Sequence, residues 1–146
     1  MNNPCVIYTT AEGTVAVVVP TGEKSIEEVA AKDVPEGATY QIIDGANIPS
    51  DRYFRDAWVA GKGKVDIDLD KAKQIGHRIR RAYRAAWFEQ YDDIIAKQIP
   101  GNDFDAAEAS RAKIRQVFAD IQTAIDAAKT PEEIKDILET NKFQAS

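Results

Sequence analysis

Two residues invite a catalytic reading because each occurs only once in the 146-residue chain, Cys5 and His77. A thiolate nucleophile needs an imidazole within hydrogen-bond reach, and the spacing of these two supplies no such contact. Cys5 opens an apolar, strand-like run. A lone thiol there is ordinarily a small buried hydrophobe, so Cys5 is expected to be buried and unreactive. Carboxylates alternate at Asp66, Asp68 and Asp70, as at the start of a calcium loop. Such a loop needs glycine at its sixth position and an acid at its twelfth. Those places hold Lys71 and His77, so the acids read instead as a strand edge leading into a helix cap. Gly61-Lys62-Gly63 is too short to cradle a phosphate, and no glycine-rich loop precedes a helix. Cysteine–histidine clusters at metal-ligand spacing and nucleophile-elbow patterns are both absent. The residues predict a protein that is not an enzyme, with no cofactor, no metal and no small-molecule substrate.

Residue types that bind rather than react are better represented. The run His77-Arg78-Ile79-Arg80-Arg81-Ala82-Tyr83-Arg84 places its histidine and four arginines on the arc opposite an apolar helical stripe. Such a face suits an acidic protein patch, a phosphate backbone or an anionic membrane surface; its bland alternative is a solvated face answering acids of the same chain. Trp87 falls on the stripe. Phe88 and Tyr91 fall nearer the arginines, where either a second element covers them or they form a contact surface. A second dense segment, Asp51-Arg-Tyr-Phe-Arg-Asp-Ala-Trp58, holds two arginines, two aspartates and three aromatics. Those types dominate interface energetics, and they equally make internal clasps in which a guanidinium forks onto a carboxylate over an aromatic face. The candidate partner-binding residues are therefore Arg52, Tyr53, Arg55 and Trp58 in one segment, and Arg78, Arg81, Arg84 and Tyr91 in the other.

The elements that must position these residues follow from length and patterning. A chain of this length makes one modest domain or two small units. With 44% hydrophobic and 29% charged residues it has the composition of a folded globular protein. No apolar run approaches the roughly 20 residues of a membrane span, and Met1-Asn-Asn-Pro4 lacks the basic start of a secretory signal. Cys5-Val-Ile-Tyr-Thr-Thr10 and Thr14-Val-Ala-Val-Val-Val19 flank a turn containing Gly13 and predict a hairpin ended by Pro20. Ser25-Ile-Glu-Glu28 is a capping box opening a short helix, and Ala38-Thr-Tyr-Gln-Ile-Ile43 reads as a third strand. Ser50 is expected to cap a single turn over 51–58, and Lys64-Val-Asp-Ile-Asp68 alternates like an exposed edge strand.

Asp68 or Asp70 then caps a long helix running to about Gln98, with Ala72, Ile75, Ile79, Ala82, Tyr83, Ala86, Trp87 and Ile94 on its apolar face. Pro100-Gly101 breaks it. Ala107, Arg111, Ile114, Phe118, Ile121, Ile125 and Ala128 step by four and three as a heptad seam with one polar member. Thr130-Pro-Glu-Glu133 opens a third helix buried through Ile134, Ile137 and Leu138. The expected fold is α+β, a small β-β-α-β unit with an irregular connector at about 46–68 making residues 1–68, then a helical hairpin with a short third helix over 69–146.

Charge is uneven along this plan. Residues 1–50 carry a net −5, residues 51–100 a net +3 and residues 101–146 a net −3. The six bases between Lys71 and Arg84 are flanked by acidic segments that would repel an extended polyphosphate, which disfavours nucleic acid as the ligand.

The string Ile48-Pro49-Ser50-Asp51-Arg52-Tyr53-Phe54-Arg55-Asp56-Ala57-Trp58, followed by Val65-Asp66-Ile67-Asp68-Leu69-Asp70-Lys71-Ala72 and a basic helix, resembles a group of small tailed-bacteriophage proteins encoded among virion structural genes. Asp56 stands where that group carries Asn, and Leu69 near where it carries Met. The resemblance covers most of the chain and implies a non-enzymatic virion-associated protein of tail, adaptor or decoration type, acting by protein–protein contacts. Its partners would be other tail or head–tail proteins, and possible further copies of itself in a symmetric assembly. Synthesis would be in the host cytoplasm and the final location the virion. Two other functions compete: a soluble phage-encoded regulator or inhibitor of a host protein complex, and a nucleic-acid binder using the Arg78–Arg84 helix.

Overall fold

A computed structural model describes residues 3–97 and 104–142, and within them no side chain at 90, 91, 93–97 or 104. The fold is α+β, strands first and helices after. The chain forms two compact units, Met1–Lys71 and Ala72–Ser146.

The first unit is built on three strands, β1 (Pro4–Thr9), β2 (Val15–Val18) and β3 (Tyr40–Asp44), in the antiparallel order β2-β1-β3. The hairpin register pairs Ile7 with Val17 and Thr9 with Val15; on the other side Cys5 pairs with Ile43. Gly13 makes the β1–β2 turn possible, since its φ of 84° lies where a side chain is strained. Helix α1 (Ile26–Asp33) starts at Ser25, whose hydroxyl accepts from the Glu28 amide, and it buries Val29 and Ala30. Consecutive β1 residues point to opposite faces, yet Cys5, Val6 and Ile7 are all buried. Both faces of β1 are therefore covered, one by α1 and the other by a second small sheet.

That sheet is a hairpin of β4 (Trp58–Ala60) and β5 (Val65–Ile67), pairing Trp58 with Ile67 and Ala60 with Val65. Trp58 and Val65 close a core with Ile7, Val15 and Ile43. Strand β5 falls inside the segment whose alternation suggested it, whereas β4 is an element the patterning did not reveal. Ser50 caps nothing. The Asp51 carboxylate instead accepts from the Tyr53 amide, and the only helical turn in the segment is three residues, Arg55–Ala57, begun at Phe54 without a side-chain cap. One side chain ties the two sheets together: Gln41 donates from Nε2 to the Gly61 carbonyl and accepts at Oε1 from the Gly63 amide.

The second unit is helical. Helix α2 (Leu69–Lys97) is capped by Asp68, whose carboxylate accepts from the Lys71 amide at 3.0 Å. Helix α3 (Phe104–Ala127) buries every apolar member of the heptad seam, from Ala107 through Phe118 to Ala128 just past its end. Helix α4 (Pro131–Thr140) starts at Thr130, which accepts from the Glu133 amide, and buries Ile134 and Leu138. The three helices meet closely at Gly76 of α2. A Cβ there would lie 2.7 Å from Ile134 Cγ2 and 3.5 Å from Ile125 Cγ2, so the absence of a side chain lets α4 approach. Along α2, Ala72, Ile75 and Phe88 are buried, while Ala82, expected on the apolar face, is exposed. The expected break at Pro100-Gly101 and the side chain of Ile94 lie outside the described residues.

Candidate functional site

The four candidates from the Asp51–Trp58 segment separate into structural and accessible residues. Trp58 is 3% exposed, a core residue rather than a contact residue, and its indole N–H meets no acceptor among the described residues. The guanidinium of Arg55 lies 4.5 Å over the Trp58 ring and donates from Nη2 to the carbonyl of Val15. That is an internal clasp, made onto a main-chain carbonyl where a carboxylate was expected. Both residues, expected at a partner contact, take part in the packing of the first unit. Tyr53 is half-buried and meets Phe54 edge-on at 4.9 Å. Arg52 alone of the four is exposed. It stands on the lining of a groove of about 310 Å³ with Val17, Val19, Pro49, Ser50 and Trp58. Val19, 63% exposed, is the more open of the two large exposed hydrophobic residues among those described, and nothing in the strand pattern distinguished it from the half-buried Val17 and Val18 before it.

Cys5 is 2% exposed, its thiol contacts the Asn3 carbonyl at 3.6 Å, and burial first, Asp44 second, push it above the usual thiol range. His77 belongs to the second unit, where both ring nitrogens are occupied. Nε2 lies 2.7 Å from Asp126 Oδ1, and Nδ1 accepts from Arg80 Nε at 3.3 Å. Since Nδ1 accepts, the proton sits on Nε2 and points at the carboxylate. Among the described residues no group of three or more His, Cys, Asp or Glu could hold a metal ion. No helix there is long and apolar enough to cross a membrane.

The basic run of α2 divides in the same way. On the side that meets α3, polar groups are matched. Lys73 donates to the Asp126 carbonyl, His77 takes the Asp126 carboxylate, and Arg111 of α3 reaches Asp92 at 3.6 Å and Glu108 at 3.3 Å. Arg111, the single polar member of the seam, also stacks 5.3 Å from Phe88, while Arg84 covers the same ring at 4.7 Å. The open question over Phe88 is thereby answered: two guanidinium groups and a neighbouring helix cover it, leaving it 8% exposed. Trp87 meets Phe118 edge-on at 5.5 Å, as its place on the stripe implied. The side chain of Tyr91 lies outside the described residues.

What remains is Arg78 and Arg81, both exposed and meeting no carboxylate among the described residues, with Arg84 beside them. Arg80 records the crowding of positive charge. Burial, then Arg81 and Arg84, lower its pKa, and Asp126 only partly offsets them. At 100° per residue the exposed Ala82 and Ala85 lie on the same arc as Arg78 and Arg81, so the helix backbone is little covered there. No family model, no curated protein and no solved structure matches this chain.

Proposed function

We propose that this is a non-enzymatic docking protein that works through protein–protein contacts, with the virion of a tailed bacteriophage as its setting. The observation that carries the docking role is the Arg78–Arg81 face of α2. Lys73 and His77 of α2 pair with Asp126 of α3, while these two guanidinium groups are exposed and meet no carboxylate among the described residues. The virion setting rests on the resemblance of 48–58 and 65–72, with the basic helix after them, to small phage structural-region proteins.

A protein ligand fits the charge balance better than nucleic acid does. A carboxylate patch can engage a bounded face of two or three arginines through bidentate bonds. A polyphosphate would run on into the acidic flanks on either side. The test is Arg78→Glu/Arg81→Glu, chosen because Arg84 also covers Phe88 and its loss would disturb packing. The double variant should keep its helical circular dichroism and lose incorporation into purified particles, where mass spectrometry should find the native protein in stoichiometric amount. Absence of the native protein from particles removes the virion setting. Undiminished incorporation of the variant removes the role of the face. Binding of DNA with a salt slope of several phosphate contacts would replace the reading with nucleic-acid recognition.

A further inference from the structure

We infer that the partner of the Arg78–Arg81 face is a second copy of this chain, received in the groove between α3 and α4. The inference rests on the docking role proposed above and names the occupant.

Helices α3 and α4 leave between them an open groove of about 530 Å³. Its apolar floor includes Val117, Ile121, Ala124 and Ile137, and the two charged residues on its lining are both acids, Asp120 and Asp136. Both are exposed, and neither forms an ion pair among the described residues; Asp120 accepts only from Gln116 of its own helix. An acid-rimmed apolar groove calls for a helix with small residues at its centre and cations at its margins. The outward arc of α2 from Arg78 to Ala85 has that composition, with Ala82 and Ala85 among the arginines; the exposed Glu89 follows on the same arc one turn beyond Ala85. Arg78 and Arg81 lie one turn apart, roughly 5–6 Å between Cβ atoms, and their long side chains can reach acids on the walls while the alanines sit over the floor. One chain thus carries two unlike faces with opposite charge, each without a counterpart in its own fold. A contact between unlike faces is heterologous, and copies joined that way form a closed ring or an open row according to the rotation between them.

Sedimentation of the full chain at concentrations from about 10 μM to 1 mM tests this. At low ionic strength the weight-average mass of the native protein should rise with concentration, and about 0.5 M salt should suppress the rise because the contact is largely electrostatic. Arg78→Glu/Arg81→Glu loses the face and Asp120→Asn/Asp136→Asn loses the acids without creating a basic groove for the glutamates, so each alone should associate at least tenfold more weakly. Mixed in equal amounts, they still hold one intact face and one intact groove between them. The mixture should form a two-chain complex and nothing larger. A native protein that stays monomeric throughout, or a mixture that stays monomeric while the native protein associates, overturns the inference. If the native protein is monomeric and only the arginine variant fails to enter particles, the docking role stands and the partner is a different protein.

Discussion

Replacing Gly76 with alanine sets two effects of similar size against each other. Alanine is favoured over glycine in a helix interior by about 0.8–1 kcal/mol. Against this, the new methyl group would start 2.7 Å from Ile134 Cγ2, about 1 Å inside a normal carbon–carbon contact of roughly 3.5–4.0 Å. Ile134 is 0% exposed, and its γ2 methyl is fixed by a β-branched side chain with little rotamer freedom. Relief therefore requires α4 or α2 to shift, and overpacking of that kind costs about 1–3 kcal/mol, here toward the upper end. The net expectation for Gly76→Ala is a loss of about 1–2 kcal/mol. At about 4 °C per kcal/mol, the melting temperature followed at 222 nm should fall by roughly 4–8 °C. In an Ile134→Ala background the obstructing methyl is gone. The same Gly76→Ala change should then stabilise by about 1 kcal/mol, giving a coupling of roughly 2–3 kcal/mol between the two positions. A melting temperature that rises when Gly76→Ala is made in the native protein would refute the close crossing of α2 and α4.

Phe118→Ala removes a fully buried ring from the α3 seam and its edge contact with Trp87, and should cost about 3–5 kcal/mol in urea unfolding; a cost below about 1 kcal/mol would mean the seam is open to solvent. Arg55→Ala deletes a charged donor to the Val15 carbonyl together with the cover over Trp58, and should cost about 1.5–3 kcal/mol, visible as earlier loss of Trp58 fluorescence. Lysine at 55 should recover little of it, because an ammonium lacks the planar fork. Because burial raises the Cys5 pKa, thiol labelling should be far slower in the native protein than in the urea-unfolded chain, and its rise with pH should be displaced upward; equal rates would place the thiol at the surface.

Long-period features were legible in the sequence because many residues repeat one message. The seam of α3 steps through seven positions, and its six apolar members are buried. The caps at Ser25 and Thr130 were readable because each opens a capping-box pattern, whereas patterning left Asp68 and Asp70 both open for α2 and gave Ser50 a helical turn that it does not cap. Features made by a single residue were not readable. Gly76 contributes no side chain to a periodicity count, so the crossing it permits leaves no trace there. Ala82 lies at the margin of the α2 stripe, where a methyl group neither demands cover nor reveals its absence. Strand β4, Trp58-Val-Ala60, is apolar throughout and so offers no alternation to read, unlike Val65-Asp-Ile67 of β5. The candidate site was half legible. Clustered arginines at 78–84 marked a charged face, but only three-dimensional pairing distinguishes Arg78 and Arg81 from Arg84, which covers Phe88. Composition likewise could not separate Arg52 from Arg55, since clasp and contact use the same residue types.

The Arg55 bond to the Val15 carbonyl has a consequence for how these chains behave in a crowd. Strand β2 is an outer strand, and its unpaired main-chain groups would be a template on which a strand of another molecule could extend the sheet. Arg55 removes one acceptor near the beginning of that strand, and Pro20, two residues past its end, offers no donor to a longer pairing. The stretch left open is shorter than the strand itself. An edge this short is a poor seed for cross-β growth. Loss of Arg55 would then appear as turbidity on prolonged warming, at temperatures where the sheet is still folded.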